Sequence, residues 1–455
     1  MELLEYTSRW NSHRLGSLFQ EQKEKNTDFT RRNALKFTYG SIVDKPEYDL
    51  TPSLIYTYSK YTLVNTGDIV INCLNLNYDF VSQRIAIVKN DGIITSAYIS
   101  LRARNEAINP MYYCYYFKAM DSRKMFHGMG TGIRLTLSYN ELRNVPIPVP
   151  PRAEQDQIVR FLDWKVSEIN KLIGIRRKEI QELGALKSAV INSAITRGID
   201  ANAAMKKTGV YYLPKVPASW EVTKLKRICK VGASINDLLR KHSDQDEVVF
   251  LPMENISEDG EIDCSIKQPI AKVKTGFSSF AKNDVVVAKI TPCFENGKGA
   301  CLDKLESDIG YGTTELFNLR AGNDVLPEYL YFITMTKLFR ILGEGQMTGS
   351  AGQKRVPADF IKDFTIGLPP IDEQQEIVDY IRSEKGRIDR LIATKYEQLK
   401  ALKEFKSSVV SNAVTGKIDV RNVTIPEYEH IDDIYDDNNE NGEETDVTQT
   451  DGEEA

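Results

Sequence analysis

The chain has 455 residues, 41% of them apolar and 27% charged, which is typical of globular proteins and leaves room for roughly three domains. No stretch approaches the ~18 uncharged apolar residues of a membrane span, and the opening MELLEYTSRWNSHR lacks the apolar core of a secretory signal, so we expect a cytoplasmic protein. The net charge is −5, but residues 427–455 hold 13 acids and no Lys or Arg. The remainder carries 59 basic and 51 acidic residues, a net charge of +8, which predicts a polyanionic partner.

In chain order, residues 1–151 are predicted to form a first mixed domain. The short runs DIVINC, RIAIV and GIITSAYISL have the β-branched composition of strands, and NPMYYCYYFKAM is a proline-led helix. Residues 152–200 are predicted to form one long helix directly after Pro150-Pro151, because proline suits the start of a helix and disrupts its interior.

The second half of the chain predicts the same succession. Residues 201–219, rich in Gly, Pro and Lys, are expected to be a linker. Residues 220–370 are predicted to form a second mixed domain, with strands at VVFLPM and DVVVAKI and a proline-led helix at LPEYLYFITMTKLF. Residues 371–419 form the second predicted long helix. The acidic tail, residues 420–455, is too polar to bury a core and is predicted to be disordered.

The chain contains an internal duplication. Residues 147–200 align without a gap on residues 366–419 at a shift of 219, and 18 of the 54 aligned positions are identical. Weaker matches upstream pair GDIVINC with NDVVVAK, and TSAYISLR with TTELFNLR. The predicted fold class is therefore α+β: two mixed α/β domains in tandem, separated by an antiparallel pair of long coiled-coil helices.

The two long helices share an apolar stripe whose spacing alternates between four and three residues, which indicates the seam of a coiled coil. Arg176 and Lys187 interrupt the stripe in the first helix, and Lys395 and Lys406 interrupt it at the equivalent positions of the second. A narrow stripe favours pairing of the helices with each other; packing of each helix on its own domain is the alternative. The predicted seam consists of Leu162, Ile169, Ile173, Ile180, Leu183, Val190, Ile381, Ile388, Ile392, Leu399, Leu402 and Val409.

Neither a catalytic site nor a metal site is expected. The six cysteines stand singly and there are only four histidines, which predicts free thiols and no metal. The sequence has no GxxxxGK[ST], HExxH or GxSxG motif and no Asn/Asp-Pro-Pro-Tyr/Phe motif of the adenine methyltransferases. GMGTG, at residues 128–132, follows a predicted helix, whereas a cofactor-binding loop of this kind follows a strand.

Polar loops follow matched strands in the two copies. KITPCFENGKGA in the second copy corresponds in position to INCLNLNYDFVSQR in the first, and HGMGTGIRLT and MTGSAGQKR precede the two long helices. Amides and Arg read base edges and Lys binds phosphate, although for any single residue a solvated loop is an equally open interpretation. The DNA-binding candidates are Asn72, Asn75, Gln83, Arg84, Arg134, Lys289, Thr291, Asn296, Lys298, Gln353, Lys354 and Arg355.

Together these segments resemble the specificity subunits of type I restriction–modification systems. The resemblance rests on KITPCFENGKGA followed by GTTELFNLR, on the PEYLYF helix, on GQKR, and above all on LPPIDEQQEIVDYI with its counterpart VPPRAEQDQIVRFL. It extends over nearly all of residues 1–425. The first copy departs from the pattern, because INCLNLNYDF replaces ITPCFENGK and GTGIRLT replaces GQKR.

The resemblance implies that residues 1–151 and 220–370 are target-recognition domains, each reading one half of a bipartite, asymmetric site in double-stranded DNA. The helices would set the spacing and dock two methyltransferase subunits, which use S-adenosylmethionine, while translocase-nuclease subunits would use ATP and Mg. The chain itself would be non-catalytic and hold no cofactor. Two alternatives stay open, a stand-alone DNA-binding adaptor that dimerises through its helices and a divergent DNA methyltransferase.

Overall fold

The structure is a computed structural model, and it describes residues 4–38, 40–46, 49–74, 76, 83–130, 135–350 and 352–432. The chain divides into two compact units, the first formed by residues 1–178 and 396–455 and the second by residues 179–395. Within the described ranges, no helix is long and apolar enough to cross a membrane.

Short strands and helices precede one long helix in the first copy, as predicted. DIVINC and RIAIV contain β6 and β7, GIITSAYISL contains β8 and most of β9, and the proline-led helix is α3. The elements are β1 (Asn11–Arg14), α1 (Leu15–Leu18), β2 (Phe19–Glu21), β3 (Leu35–Thr38), β4 (Ser41–Asp44), α2 (Pro52–Ser59), β5 (Thr62–Val64), β6 (Ile69–Ile71), β7 (Ile85–Ile87), β8 (Gly92–Ile94), β9 (Ile99–Ala103), α3 (Pro110–Ser122), α4 (Tyr139–Leu142), β10 (Pro146–Val149) and α5 (Arg152–Arg197).

The second copy follows the same order with more strands. VVFLPM contributes to β15, DVVVAKI forms β18, and the predicted proline-led helix is split into α9 and α10. The elements are β11 (Met205–Val210), β12 (Leu213–Pro217), β13 (Glu221–Lys224), α6 (Leu225–Ile228), β14 (Cys229–Val231), α7 (Asn236–Leu239), β15 (Glu247–Leu251), β16 (Lys267–Pro269), α8 (Ile270–Val273), β17 (Ser278–Ala281), β18 (Val285–Ala288), β19 (Gly299–Cys301), β20 (Ile309–Gly312), β21 (Leu316–Ala321), α9 (Pro327–Met335), α10 (Lys337–Glu344), α11 (Ala358–Asp363), β22 (Thr365–Leu368) and α12 (Ile371–Val414).

A four-stranded antiparallel sheet, in the order β2-β9-β6-β7, separates two apolar cores in the first unit. Side chains alternate along a strand, so Ile69 and Ile71 of β6 join a core shared with α3 and the long helices. Val70, between them, joins a second core with Leu35 and Phe37. β1 pairs with β10, which ties the start of the copy to the strand that leads into α5.

The second unit repeats this frame. Its sheet has the order β14-β21-β18-β19, and β13 pairs with β22 directly before α12. Val285 and Val287 of β18 join the core that contains α9 and the long helices, whereas Val286 and Ala288 join the core on the other face. The duplication found in the sequence is therefore also a duplication of architecture.

The copies differ on the sheet face that points away from the long helices. In the second unit a further four-stranded sheet, β16-β15-β20-β17, covers that face through Val249, Leu251 and Phe280. In the first unit two separate two-stranded pairs, β3-β4 and β5-β8, take this place. The two predicted mixed domains thus share one half of their structure and differ in the other.

Both long helices begin directly after their Pro-Pro pairs, at Arg152 and Ile371, positions 219 residues apart. Each unit contains the first part of one helix and the last part of the other. Within each unit the two parts run antiparallel, because residues early in one helix contact residues late in the other. These contacts are Asn170 with Lys406 (3.0 Å) in the first unit, and Glu179 with Lys395 (3.1 Å) and Asp389 with Lys187 (3.0 Å) in the second.

The predicted seam residues have low exposure, and each core takes residues from both helices. Leu162 and Val409 belong to the first core, and Ile381 belongs to the second together with Ile191 of α5. Packing of each helix on its own domain alone is thereby excluded. Seven seam residues are buried, namely Leu162, Ile169, Ile173, Ile381, Ile388, Leu399 and Val409, and five are half-buried, namely Ile180, Leu183, Val190, Ile392 and Leu402.

Two segments differ from their predictions, because the expected linker and the start of the expected disordered tail both contribute residues to the cores. Residues 201–219, expected to be a linker, contain the hairpin of β11 and β12, because Leu213 and Val216 are buried in the second core. At the start of the tail, Val420 is 2% exposed, and Gln157 Nε2 donates to the carbonyl oxygens of Val420 (3.1 Å) and Val423 (2.8 Å). The expected disorder then concerns only residues 433–455, which lie outside the described residues.

Candidate nucleic-acid interface

The loop at residues 289–298 connects β18 to β19 and folds back through its own backbone. The amide of Phe294 donates to the carbonyl of Ile290, and that of Lys298 to Cys293, at 3.0 and 2.9 Å. Gly297 has a φ of +87°, which L side chains rarely adopt. The Phe294 ring is fully buried and anchors the loop, so the polar side chains around it are carried on a defined backbone.

A second candidate loop, of which residues 348–350 and 352–355 are described, lies directly against the first. The amide of Thr291 donates to the carbonyl of Lys354 (3.0 Å), and the amide of Val356 donates to the carbonyl of Lys289 (2.9 Å). Thr348 and Arg355 exchange two backbone hydrogen bonds that close this loop. KITPCFENGKGA and GQKR, which are some 60 residues apart in sequence, therefore form one continuous surface.

Several candidate side chains of this surface are already engaged within the protein. Arg355 donates two hydrogen bonds to Glu315, both 2.9 Å, and these lower the pKa of the Glu315 carboxyl and raise that of Arg355. Thr291 Oγ1 donates to Glu295 (2.8 Å), and Lys298 Nζ donates to the Met253 carbonyl (3.0 Å). These contacts stabilise the conformation of the two loops.

Three candidates remain available to a ligand. Asn296, Gln353 and Lys354 are exposed, and their side chains make no hydrogen bond or ion pair with the described part of the chain. The half-buried Lys289 has its ammonium 5.2 Å from the centre of the Phe317 ring. Two amides and an ammonium on one surface match the groups that bind base edges and phosphate.

The corresponding loop of the first copy is held differently. Arg84 is only 9% exposed, and its Nη1 donates to the carbonyls of Asn72 (3.1 Å) and Leu74 (2.6 Å). The Asn72 side chain accepts from the Leu74 amide at 3.2 Å. Arg84 and Asn72 are thus bonded to the backbone of residues 72–74, whereas Gln83 is exposed. Two further candidates, Asn75 and Arg134, lie outside the described residues.

A buried ion pair in each copy was missed by the sequence reasoning. Asp68, 2% exposed, accepts two hydrogen bonds from Arg102 (2.8 and 2.6 Å), and Asp284, 1% exposed, accepts two from Arg320 (2.7 and 2.8 Å). The hydrogen bonds that the guanidinium groups donate to the carboxylates raise the pKa of both arginines. The sequence did contain a signal for these pairs. The aspartates stand second in the matched runs GDIVINC and NDVVVAK, and the arginines stand last in the matched runs TSAYISLR and TTELFNLR.

The repeated Glu-Gln at the start of each long helix attaches the helix to its domain. Trp10 Nε1 donates to Glu154 (3.1 Å), and Trp220 Nε1 donates to Glu373 (2.7 Å). The neighbouring glutamines are fully buried. Their side chains bond only to backbone groups: Gln155 to Asn109, Ala107 and Pro150, and Gln374 to Leu326, Asp324 and Pro369.

The glycine after each long helix packs against a tryptophan. Gly416, with a φ of +69°, lies so close to Trp10 that a Cβ would stand 2.7 Å from the indole, and Gly198, with a φ of +75°, lies against Trp220. Each tryptophan therefore joins the first turn of one helix to the end of the other. Within the described ranges, no group of three or more potential metal ligands is found.

Comparison with known proteins agrees with this architecture. The family model of the type I restriction modification DNA specificity domain matches residues 7–212 and again residues 217–401. The EcoAI specificity subunit of Escherichia coli is 43% identical over 167 residues, 36% of this chain and 28% of that protein. The MjaVIII specificity subunit of Methanocaldococcus jannaschii is 25% identical over 80% of this chain and 84% of its own length.

A solved structure shares the fold. One chain from a study of complex assembly and conformational transition of the type I R-M system aligns with a TM-score of 0.65 at 14% identity, covering 91% of this chain and 100% of that one. The matched segment spans little more than a quarter of the two E. coli relatives EcoAI and EcoEI. With two matches of the family model along its length, the chain belongs to the type I restriction–modification DNA specificity family.

Proposed function

We propose that the chain is the sequence-recognition subunit of a type I restriction–modification complex. Each copy reads one half of a bipartite, asymmetric DNA site, and the paired helices set the distance between the halves. The observation that carries the proposal is the repetition of one sheet-and-helix frame in two copies whose opposite faces differ, as a site with two unlike halves requires.

In the second copy the proposed contact surface is formed by residues 289–298, 348–350 and 352–355. Asn296 and Gln353 offer amides to base edges, and Lys354 offers an ammonium to phosphate. Arg355 and Lys298 support this surface through Glu315 and Met253. In the first copy Gln83 is the exposed member of the described candidates, and Asn75 and Arg134 remain predictions.

The chemistry is assigned to partners. We propose that two methyltransferase subunits dock on the paired helices and supply S-adenosylmethionine-dependent methylation, and that translocase-nuclease subunits add ATP- and Mg-dependent cleavage. The chain itself binds DNA in the cytosol and carries no catalytic group or cofactor.

Methylation mapping tests the proposal. The chain is expressed with the type I methyltransferase subunit of its own organism, and methylated adenines are mapped by long-read sequencing, with each protein alone as a control. We expect a bipartite motif only when both proteins are present. Methylation by the chain alone would indicate a divergent methyltransferase. If the active complex produced no bipartite motif, the proposal would be wrong and the DNA-binding adaptor would be the remaining interpretation.

Shortening both helices tests the spacing role. Removing residues 176–182 and 394–400, which face each other around the contact of Glu179 with Lys395, takes one heptad from each helix. Seven residues correspond to about 10 Å, or about three base pairs. We expect the mapped motif to lose about three spacer base pairs or site-specific methylation to disappear; methylation at the original spacing would contradict the ruler.

A further inference from the structure

A buried arginine holds the 289–298 loop from behind. Arg340, on α10, is 7% exposed. Its Nη1 donates to the carbonyl of Phe294 (2.8 Å) and its Nη2 to that of Gly297 (3.3 Å). The guanidinium carbon lies 4.8 Å from the centre of the Phe294 ring. One side chain thus fixes two backbone groups, three residues apart, in the loop that carries Asn296.

Arg340 forms no ion pair with a carboxylate of the described residues, although the charge of Glu295 acts on it, and its Nε makes no hydrogen bond with them. Burial lowers its pKa to about 10, which still leaves it protonated near neutral pH. A buried cation is costly unless its hydrogen bonds are satisfied, and an apolar side chain would fill the same space without that cost. What Met or Leu could not supply is a planar fork of donors that reaches both carbonyls at once.

In the first copy an arginine at a different place in the sequence also donates to loop carbonyls. Arg84, directly before β7, donates through Nη1 to two carbonyls of its own candidate loop, those of Asn72 and Leu74. The residue directly before β19, the equivalent strand, is Lys298, which bonds elsewhere. The counterpart of Arg340, by the match of Pro110 with Pro327, is Arg123, which donates to Ser411 of α12.

We propose that Arg340 and Arg84 are positioning residues: Arg340 holds the backbone of residues 294–297 and Arg84 holds that of residues 72–74, and both so decide which bases the outward-facing side chains meet. The inference rests on the proposed function. The two arginines do not touch DNA, so they govern discrimination between sequences more than overall affinity. Two non-equivalent positions that clamp equivalent loops indicate a requirement of the loops themselves, because inheritance from the ancestral copy would have placed the arginines in register.

The decisive experiment maps methylation by complexes that contain Arg340→Met, Arg340→Lys or Arg84→Met. Lys337→Met, at an exposed position of the same helix, removes one positive charge and serves as the matched control. We expect Arg340→Met to reduce discrimination on the order of tenfold at one half-site and to leave the other half-site as in the wild type. Arg84→Met should do the reverse, Arg340→Lys should be intermediate, and the control should be silent.

Two measurements separate positioning from general damage and from direct contact. Hydrogen exchange on the DNA-free chain should show faster exchange of the Asn296, Gly297 and Lys298 amides in Arg340→Met, with the thermal midpoint of the second unit, which contains Arg340, unchanged. The salt dependence of DNA affinity should keep its slope, because no phosphate contact is removed. Full discrimination at both half-sites, or equal loss at both, would overturn the inference.

A failure of the underlying function is recognised independently. If the wild-type complex produces no bipartite motif, the recognition role is refuted, while hydrogen exchange still reports whether Arg340 holds the loop. If the motif is present and the loop amides exchange at the wild-type rate in Arg340→Met, the clamp is refuted and the recognition role stands.

Discussion

The two faces of the central sheet have diverged to very different extents between the copies. On the helix side both copies have the same tryptophan–glutamate contact and the same buried glutamine, and both central sheets carry the same aspartate–arginine pair. On the opposite side a second four-stranded sheet stands in one copy and two short strand pairs in the other. The duplication has preserved the contacts that attach the long helices and has varied the elements that cover the opposite face of the sheet.

The largest loss of stability is expected from replacing the two tryptophans on the helix side of the sheet. Trp220→Ala deletes a fully buried indole and its hydrogen bond to Glu373, a change that costs about 3–5 kcal/mol in the affected unit. Trp10→Ala should cost nearly as much. Hydrogen exchange, analysed separately for the two units, measures the loss of unfolding free energy in each variant. A large loss in only one of the two variants would show that the two tryptophan contacts are not energetically equivalent.

Breaking the aspartate–arginine pairs should reduce stability less, and by similar amounts in the two copies. Asp284→Ala leaves Arg320 without its carboxylate partner, and because Arg320 is one-third exposed we expect a loss of about 2–4 kcal/mol. Asp68→Ala should match it, since Arg102 is similarly exposed. The measurement is the denaturant midpoint of each unit. Asp284→Asn, which keeps the shape of the side chain, should lose less than Asp284→Ala, and equal losses would argue against a charge-assisted pair.

The smallest effect on stability is expected in the candidate loops, whose sequences differ between the copies. Lys354→Ala should change stability by no more than about 0.5 kcal/mol and should reduce the slope of log affinity against log salt by about one, the value for one phosphate contact. Lys298→Ala should leave the slope nearly unchanged, since Lys298 Nζ is bonded to Met253. If Lys298→Ala reduced the slope and Lys354→Ala did not, Lys298 would be the residue that contacts phosphate.

The sequence predicts the repeated frame well because its signals are local and occur twice. The Pro-Pro pairs mark the first residues of α5 and α12, and the spacing of four and three predicts which residues lie between the helices. The strand runs and the proline-led helices are found where β-branched composition and proline position indicate them.

The direction of loop side chains could not be predicted in this way. Arg84 and Lys298 follow glycine-poor and glycine-rich loops respectively, and nothing near them in sequence indicates that both are bonded inward to carbonyl groups. Residues 201–219 and 420–432 were misjudged for a related reason. Their few apolar side chains, such as Val216 and Val420, are buried only because distant parts of the chain form the cores that receive them.

The sharing of each core by both helices bears on how the polypeptide matures during translation. Val409, Ala413 and Val414, near the end of α12, complete the same apolar core as Leu162 and Val166, which precede them by about 250 residues. At about 5–20 residues per second, a nascent chain waits on the order of 10–50 s between emergence of the two groups. The first copy is therefore exposed to chaperones and proteases for that interval, and its core is completed only after the end of α12 has emerged.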